Sequence, residues 1–559
     1  MSGGRLRVVF LIGSRSASTD LSIAEVCRVA GVEPVAVLID TGGATSKQRR
    51  RNLRRNVRRE GIGYVFHRGV TALRQFLERR ADRVIPANEV EELLREAFPA
   101  RSLPQLSEIH GFQILEVGNL NSPVAVDRLR SLNADLGVVL GTRVLRRQIF
   151  EVPRLGCVNL HKGSVPDYRG MPPGFWELYD GASSAGVTVH FVDDGLDTGD
   201  VLGTSEISIH RKETPESLSA KLTLEGSGLL AKVVSQIQKG TAERSPQPHS
   251  SHKPRTRPTR AQQLELAARL PHWRRLSDVR QVGKLIAWLI VFHTRLYALL
   301  RWARRGQSRG AILLYHRVND FSDDVLTTNT RRFAEHLVTL RRYYRIMPTE
   351  KMVEQIAARK ALNPTTVAIH FDDCYRDVGT HAGRLLHAAQ APAVAFVSSG
   401  FVDTDRAFQH DLEKYPHTFE NFRLEELRQL PELGVSVAAH TVNHVDLGKV
   451  ELEQARVEVL ESRRQLEQMT GREVMLFSFP FGGIHNIRPE VRTMVMQAGY
   501  RALFSAHGGF IGEDTELYDI PRIGVFSEHS PLALMMELEG LSLANLRYQL
   551  RKRRPSEGQ

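Results

Sequence analysis

Two stretches of this chain end apolar runs in side chains that can move protons or hold a cation. In "CVNLHKGSVPDYRG", 157 to 170, Asn159 and His161 stand two residues apart on a strand-like run. Positions i and i+2 of a strand project from one face, so the amide and the imidazole point together beyond the strand end. In "GVTVHFVDDGLDTGD", Asp197 falls in a turn bounded by Gly195 and Gly199, directly after another strand-like run. Amide, imidazole and carboxylate together suit acyl transfer to an amine. The amide donates to the developing oxyanion, the imidazole moves a proton and the carboxylate fixes the imidazole's tautomer. No Ser or Cys nucleophile is required, because the amine attacks directly.

The second stretch, "AIHFDDCYRD", sets Asp372 and Asp373 together at the end of an apolar strand. Adjacent strand residues point to opposite sides unless the chain turns, which leaves one carboxylate for a metal and the other for a reacting water. "AAHTVNH" adds His440 and His444, whose i, i+4 spacing puts both imidazoles on one face if the segment enters a helix. Two His and one Asp leave coordination positions open, as metal-assisted hydrolysis needs.

These residues need scaffolds. From about 5 to 240 the runs "RVVFLIG", "EPVAVLID", "ADLGVVLG" and "GVTVHFV" alternate with helical stretches, the rhythm of an α/β sheet. "AERSPQPHSSHKPRTRPTR", 242 to 260, is rich in Pro, Ser and Arg without periodicity and reads as a linker. From about 310, "AILLYHRV", "TVAIHFDD", "APAVAFVSS", "VSVAAH", "LFSFP" and "YRALFS" suggest a second α/β domain, barrel-like because polar residues gather at strand ends. The expected organisation is therefore 1–240, a basic linker and amphipathic helix over 241–309, and a second catalytic domain over 310–545.

The first region resembles the formyltransferase family, most closely in "GCVNLHKGSVPDYRG" and "GVTVHFVDDGLDTGD". The resemblance implies a Rossmann-like domain with Asn159, His161 and Asp197 catalytic and 10-formyltetrahydrofolate as donor. It also implies that the backbone of the loop through Val192, Asp194, Gly195 and Leu196 holds the pterin. One departure is local: Gly163 stands where many relatives have Ser. The region from 310 to 530 resembles the polysaccharide deacetylase (NodB-homology) family, from "LLYHRV" through "FSFPFGG" to "DIPRIGV". That resemblance implies a (β/α) barrel, Asp372 as general base, and Asp373, His440 and His444 as metal ligands. Pro480, Phe481 and Gly482 would form the groove wall. Zinc is the expected ion, with Fe(II) or cobalt also suited to two His and one carboxylate. Here too there are departures. His370 replaces the usual Thr or Ser before "FDD", and Ser478 stands near the place of an absent Arg. Arg522 is a candidate to orient Asp372 instead, and His507 and His529 are candidates for the family's general acid.

Composition bounds the rest. A chain of 559 residues, 42% apolar and 25% charged, is an ordinary folded protein of several domains. Three scattered cysteines without metal or disulfide spacing favour a reducing compartment, so a cytoplasmic protein is expected. The net charge of +13 is partly concentrated in "RRRNLRRNVRRE", 49 to 60, whose two readings are a solvated helix face and an anion- or membrane-facing patch. The helical stretch around 282–303 has an apolar core, Leu285 to Phe292, too short to span a bilayer. It is open to two readings, a peripheral contact at the inner face of the membrane and packing on a neighbouring domain. Together the two halves suggest an enzyme that adds a formyl group to an amine and removes an acyl group from one. The expected substrate is an amino sugar, nucleotide- or lipid-linked. A protecting formylation followed by deformylation of a lipid-linked sugar is one alternative. Formylation of aminoacyl-tRNA is another, although nucleic acid is not the expected partner.

Overall fold

The computed structural model describes residues 5–43, 46–61, 63–98, 102–209, 213–248, 253–270, 278–304, 307–320, 325–412, 419–527 and 529–541. Two compact units interleave along the chain: Met1–Arg68 with Phe98–Arg275, and Gly69–Ala97 with Leu276–Gln559.

In the first unit β1 (Leu6–Ile12), β2 (Val32–Asp40), β3 (Gln113–Val117), β4 (Leu136–Leu140), β5 (Cys157–His161), β6 (Ser184–Phe191) and β7 (Val201–Ser208) form one sheet in the order β3-β2-β1-β4-β5-β6-β7. Strands β3 to β5 of that order are parallel, whereas β6 and β7 are antiparallel to their neighbours. The run in β1 is unbroken because both faces are covered. Leu6, Val8, Phe10 and Ile12 join Ile23 and Val26 of the helix Ala17–Cys27, while Val9 and Leu11 join Val126 and Leu129 of the helix Pro123–Ser131. This is the Rossmann-like α/β arrangement. The arginine-rich run lies on the helix Ser46–Glu60, where Arg50, Arg51, Arg54, Arg55, Arg58 and Arg59 are exposed, as both of its readings require.

Where described, the segment read as a linker is not free. Ser245 pairs with Val201, Arg255 pairs with Gly170, and Trp176 Nε1 donates to the Thr256 carbonyl at 3.0 Å. The helix Arg260–Arg269 then buries Leu266 against Phe175 and Trp176. Backbone pairing needs no side-chain periodicity, which is why composition alone suggested a loose tether.

The second unit contains β8 (Gly310–Tyr315), β9 (Arg317–Val318), β10 (Thr327–Thr328), β11 (Arg345–Ile346), β12 (Thr366–Phe371), β13 (Ala393–Val397), β14 (Val435–Ala439), β15 (Leu476–Ser478), β16 (Ala502–Phe504) and β17 (Ile523–Gly524). The main sheet runs β16-β15-β14-β13-β12-β8-β17 with parallel ladders, β11 pairing with β12, and β9 with β10 standing apart. Its seam is spanned by a bridge from Phe504 to Ile520, just before β17, giving an irregular (β/α) barrel. Ile312, Ala368, Val394, Phe396, Ala438, Leu476, Ala502 and Phe504 pack into one interior cluster. A filled interior leaves the strand ends as the place for polar side chains. The segment Gly69–Ala97 belongs to this unit through contacts as specific as any within it. Tyr343 OH donates to the Val84 carbonyl at 2.9 Å, and Arg332 pairs with Asp82 at 2.8 Å and Arg342 with Glu89 at 2.9 Å.

Candidate active sites

At the end of β5 the first constellation closes into one cluster. Asn159 Nδ2 lies 3.4 Å from Asp197 Oδ1, and His161 Nδ1 lies 3.5 Å from Asp197 Oδ2. Asp197 adopts a left-handed φ of 54°, which swings its carboxylate back towards the strand end, where the Gly170 N–H donates to it at 3.3 Å. Burial by itself would raise the Asp197 pKa, but the Gly170 N–H, and the charge of His190 or His161 whenever either ring takes up a proton, bring it below the ordinary carboxylate range. The His161 pKa is lowered, chiefly by burial, so the ring is held neutral and free to accept a proton.

The tautomer is set differently from the sequence expectation. His161 Nε2 lies 2.7 Å from the Tyr168 carbonyl, which can only accept, so that nitrogen carries the hydrogen. Nδ1, the proton-accepting atom, then faces Asp197, and the carboxylate is placed to stabilise the imidazolium once it forms. Gly163 explains the local departure of the loop. A Cβ there would meet the Tyr168 carbonyl oxygen at 2.3 Å and His161 Nε2 at 2.7 Å. Gly163→Ser is therefore expected to displace the group that orients His161 and to destabilise this unit by about 1–3 kcal/mol. Formyl transfer should fall and hydrolysis should not, as parallel rate assays and a thermal melt would read.

The proposed donor loop follows β6. The Val192 N–H donates to the Cys157 carbonyl at 2.8 Å, Asp194 pairs with Arg147 at 2.7 Å, and the Gly195 N–H donates to Asp193 at 3.1 Å. A Cβ on Gly195 would meet Thr198 Oγ1 at 1.9 Å, so the loop's tight winding requires glycine. Gly195 and Leu196 are exposed, leaving backbone accessible beside Asp197, an arrangement that fits a folate donor held by main-chain atoms.

The second constellation sits at the C-terminal ends of β12, β14 and β15. Asp373 has φ 81°, the turn that lets both adjacent carboxylates face the same site. Its Oδ1 lies 3.0 Å from His444 Nε2 and 3.7 Å from His440 Nε2. These three residues offer ligand atoms that all lie within 4.8 Å of one another. Asp373 Oδ2 is buried without a hydrogen-bond partner. His440 Nδ1 lies 3.0 Å from the Ser478 carbonyl, which holds the hydrogen on that nitrogen and leaves Nε2 as a lone pair facing Asp373. Burial pushes the His440 pKa down to about 4. A neutral imidazole oriented through its far nitrogen, an ionised Asp and an unpartnered buried oxygen fit a divalent cation.

The His pair is not helical. Thr441 and His444 have φ values of 63° and 55°, and the loop between them is pinned by Glu458, whose Oε2 accepts the Val442 and Asn443 N–H groups at 2.8 Å each. Asp372 is gripped by Arg522 through two bonds of 2.6 and 2.7 Å, with Ser478 Oγ at 3.4 Å. Burial raises the Asp372 pKa, but Arg522 outweighs it and keeps the group ionised. Arg522→Lys retains the charge and loses the fork, so hydrolysis should fall by roughly 10–100-fold with formyl transfer as the internal control. Phe481 stacks edge-on against His444, with ring centroids 5.0 Å apart, and Gly482 and Pro480 close the same turn. His370 bonds Thr349 instead of the carboxylates. His507 pairs with Asp519 at 3.0 Å, and His529 Nδ1 accepts from the Phe526 N–H, so neither bonds to Asp372 or Asp373.

Three histidines escaped the sequence reading. His190 lies opposite Asn159 in the β5–β6 register, its Nε2 3.2 Å from Asn159 Nδ2. His410 Nε2 lies 3.8 Å from Asp373 Oδ2, and His316, just after β8, feels the charge of both carboxylates. His316 alone carried a signal, in "LLYHRV", because a polar residue follows the apolar strand.

Fold and sites place two separate candidate catalytic centres on one α/β chain. Residues 81–234 match the family model for formyl transferase, and residues 359–503 match that for polysaccharide deacetylase. The chain thus carries a segment similar to formyl transferases followed by one similar to polysaccharide deacetylases. It is similar to the methionyl-tRNA formyltransferase of Agathobacter rectalis, 35% identical over 139 residues, which are 25% of this chain and 45% of that protein. The corresponding protein of Thermodesulfovibrio yellowstonii is 38% identical over 123 residues, 22% of this chain and 40% of that protein. The chain spans less than half the length of these curated relatives. Among solved structures, the Streptococcus pyogenes deacetylase PplD in complex with acetate is 19% identical, with a TM-score of 0.37, over 42% of this chain and 99% of its own. Glycinamide ribonucleotide transformylase 1 from Symbiobacterium toebii is 17% identical, with a TM-score of 0.30, over 43% and 90%.

Proposed function

We propose that the chain remodels the N-acyl group of an amino sugar in the cytoplasm, hydrolysing an N-acetyl or N-formyl group at one site and installing a formyl group at the other. The observation that carries this reading is the pairing on one chain of two sites that both suit chemistry at an acylated nitrogen. 10-Formyltetrahydrofolate, held at the loop from Val192 to Leu196, would supply the one-carbon acyl group. Asn159 is placed to donate to an oxygen gathering negative charge. His161 Nδ1 takes the proton of the incoming amine, and Asp197 stabilises the resulting imidazolium. A divalent cation held by Asp373, His440 and His444, zinc in our reading, would supply Lewis acidity. Asp372, kept ionised by Arg522, takes a proton from the attacking water.

Mass spectrometry of products from a panel of N-acetylated and free amino-sugar nucleotides, incubated with the full chain, zinc and formyl donor, tests this. Release of acetate with appearance of an N-formyl product is expected; loss of neither acyl group nor donor sinks the reading. The names of the curated relatives favour one second reading, formylation of an aminoacyl-tRNA. Salt-sensitive tRNA binding together with formylation of a charged tRNA would select it.

A further inference from the structure

Among the described residues no single helix is long and apolar enough to cross a membrane, but the helices Asp278–His293 and Leu296–Ala303 form an elbow bent by 68°. Both belong to the second unit. The inner face of the elbow is bolted down. Leu285 and Leu289 are buried, Phe292 packs edge-on against Tyr343, and Arg301 pairs with Glu539 at 2.5 Å while donating to the Tyr343 carbonyl at 3.0 Å. Straightening the elbow into a span would break that ion pair, whose carboxylate is buried.

The outer face is the opposite in character. Gly283, Ile286, Ala287 and Ile290 recur at helical spacing and are all exposed, and the second arm continues with Leu296, Leu299 and Trp302. Ile290, Leu299 and Trp302 are 55%, 57% and 60% exposed, so large apolar side chains face water on both arms. The surrounding sequence is one-signed. No Asp or Glu occurs between Asp278 and Asp320, while Arg280, Lys284, Arg295, Arg304 and Arg305 punctuate the two arms and their ends; Arg301 on Glu539 and the buried Arg317 on Asp411 turn inward and do not belong to this face. Arg295 is exposed at the bend itself, and Lys284 Nζ sits 4.1 Å from the Trp288 ring centre. An apolar strip bordered by cations, with aromatic rings among them, complements anionic headgroups above an acyl layer. A second copy of this strip would bring like charges together.

We infer that the elbow is an in-plane membrane anchor, laying the outer faces of both helices into a bilayer surface that carries anionic lipid. The inference rests on this surface alone and is independent of the proposed substrate. It joins the two sequence readings: one face packs on protein, and the other would meet lipid.

The test is co-sedimentation of the full chain with vesicles of phosphatidylcholine alone or mixed with phosphatidylglycerol, with tryptophan emission followed on titration. Binding to the mixed vesicles is expected to be at least about tenfold tighter and to weaken with salt. The double variant Ile290→Glu, Leu299→Glu should lose that binding while keeping its melting transition, since both positions are exposed. Trp302→Phe should reduce the blue shift on vesicle addition without loss of binding. Failure to bind either vesicle, equal binding to both, or undiminished binding by the double variant overturns the inference. So does a dimer in sedimentation equilibrium that the double variant dissociates, because the face would then belong to a second copy.

Discussion

Replacing Asp373 by asparagine is expected to lower N-acyl hydrolysis by on the order of 10³-fold while leaving formyl transfer within a factor of two. The substitution keeps the shape and removes the charge. Asp373 Oδ1 lies 3.0 Å from His444 and 3.7 Å from His440, and its other oxygen is buried with no hydrogen-bond partner. Burial holds His440 neutral at pH 7, so the carboxylate is the only one of these three ligand candidates able to carry a formal negative charge. Without it, imidazoles alone must hold a dication, and bound metal should fall together with rate. Metal content by elemental analysis and hydrolysis by acetate release read the two effects separately, and excess zinc should restore part of the rate. An asparagine variant that keeps more than a tenth of the hydrolysis and its full metal content would remove Asp373 from the ligand set. The fold should survive, because asparagine keeps the shape of the side chain and its oxygen towards His444, and a thermal melt checks this.

Much of this architecture was legible because apolar runs and polar ends are local properties. "RVVFLIG" became β1, "TVAIHFDD" became β12 with its carboxylates at the strand end, and "VSVAAH" became β14 with His440 just beyond it. What composition hid was pairing between distant segments. Arg522 reaches Asp372 across 150 residues, and His190 meets Asn159 only once the antiparallel register of β5 and β6 is known, since within "GVTVHFV" it is one polar residue in an apolar run. His440 and His444 come together without the helical turn that their i, i+4 spacing would suggest. Positive φ at Thr441 and His444 brings the rings together, and Glu458, a carboxylate on the following helix, accepts the loop's N–H groups. Sequence spacing cannot distinguish a helical turn from a loop held by one carboxylate. The segment Gly69–Ala97 shows the same limit at larger scale: its buried Leu77, Ala81, Val90 and Leu93 mark an apolar face, but local spacing does not name the partners it meets, such as Tyr343 on the Val84 carbonyl and Arg332 on Asp82.

Asn159→Ala is expected to lower formyl transfer by on the order of 10²–10³-fold, the loss seen when one oxyanion donor is removed, with hydrolysis unchanged. The position of the amide makes the effect specific. Asn159 Nδ2 lies 3.2 Å from His190 Nε2 and 3.4 Å from Asp197 Oδ1, so one hydrogen is well held and the other rests in a long, weak contact. His190 Nδ1 lies 2.7 Å from the Phe191 carbonyl, which places the ring's hydrogen there and leaves Nε2 to accept from the amide. The strand pairing thus fixes the amide's orientation, and the hydrogen aimed at Asp197 is the one an oxyanion competes for most easily. A donor needed mainly as charge develops should show its loss in kcat, with KM for the formyl donor changing little. His190→Ala should reproduce a smaller part of the same kcat loss, because it frees the amide without removing it. If Asn159→Ala costs less than tenfold in kcat, or raises KM by as much as it lowers kcat/KM, the amide is a ground-state contact and the oxyanion must find its donor elsewhere.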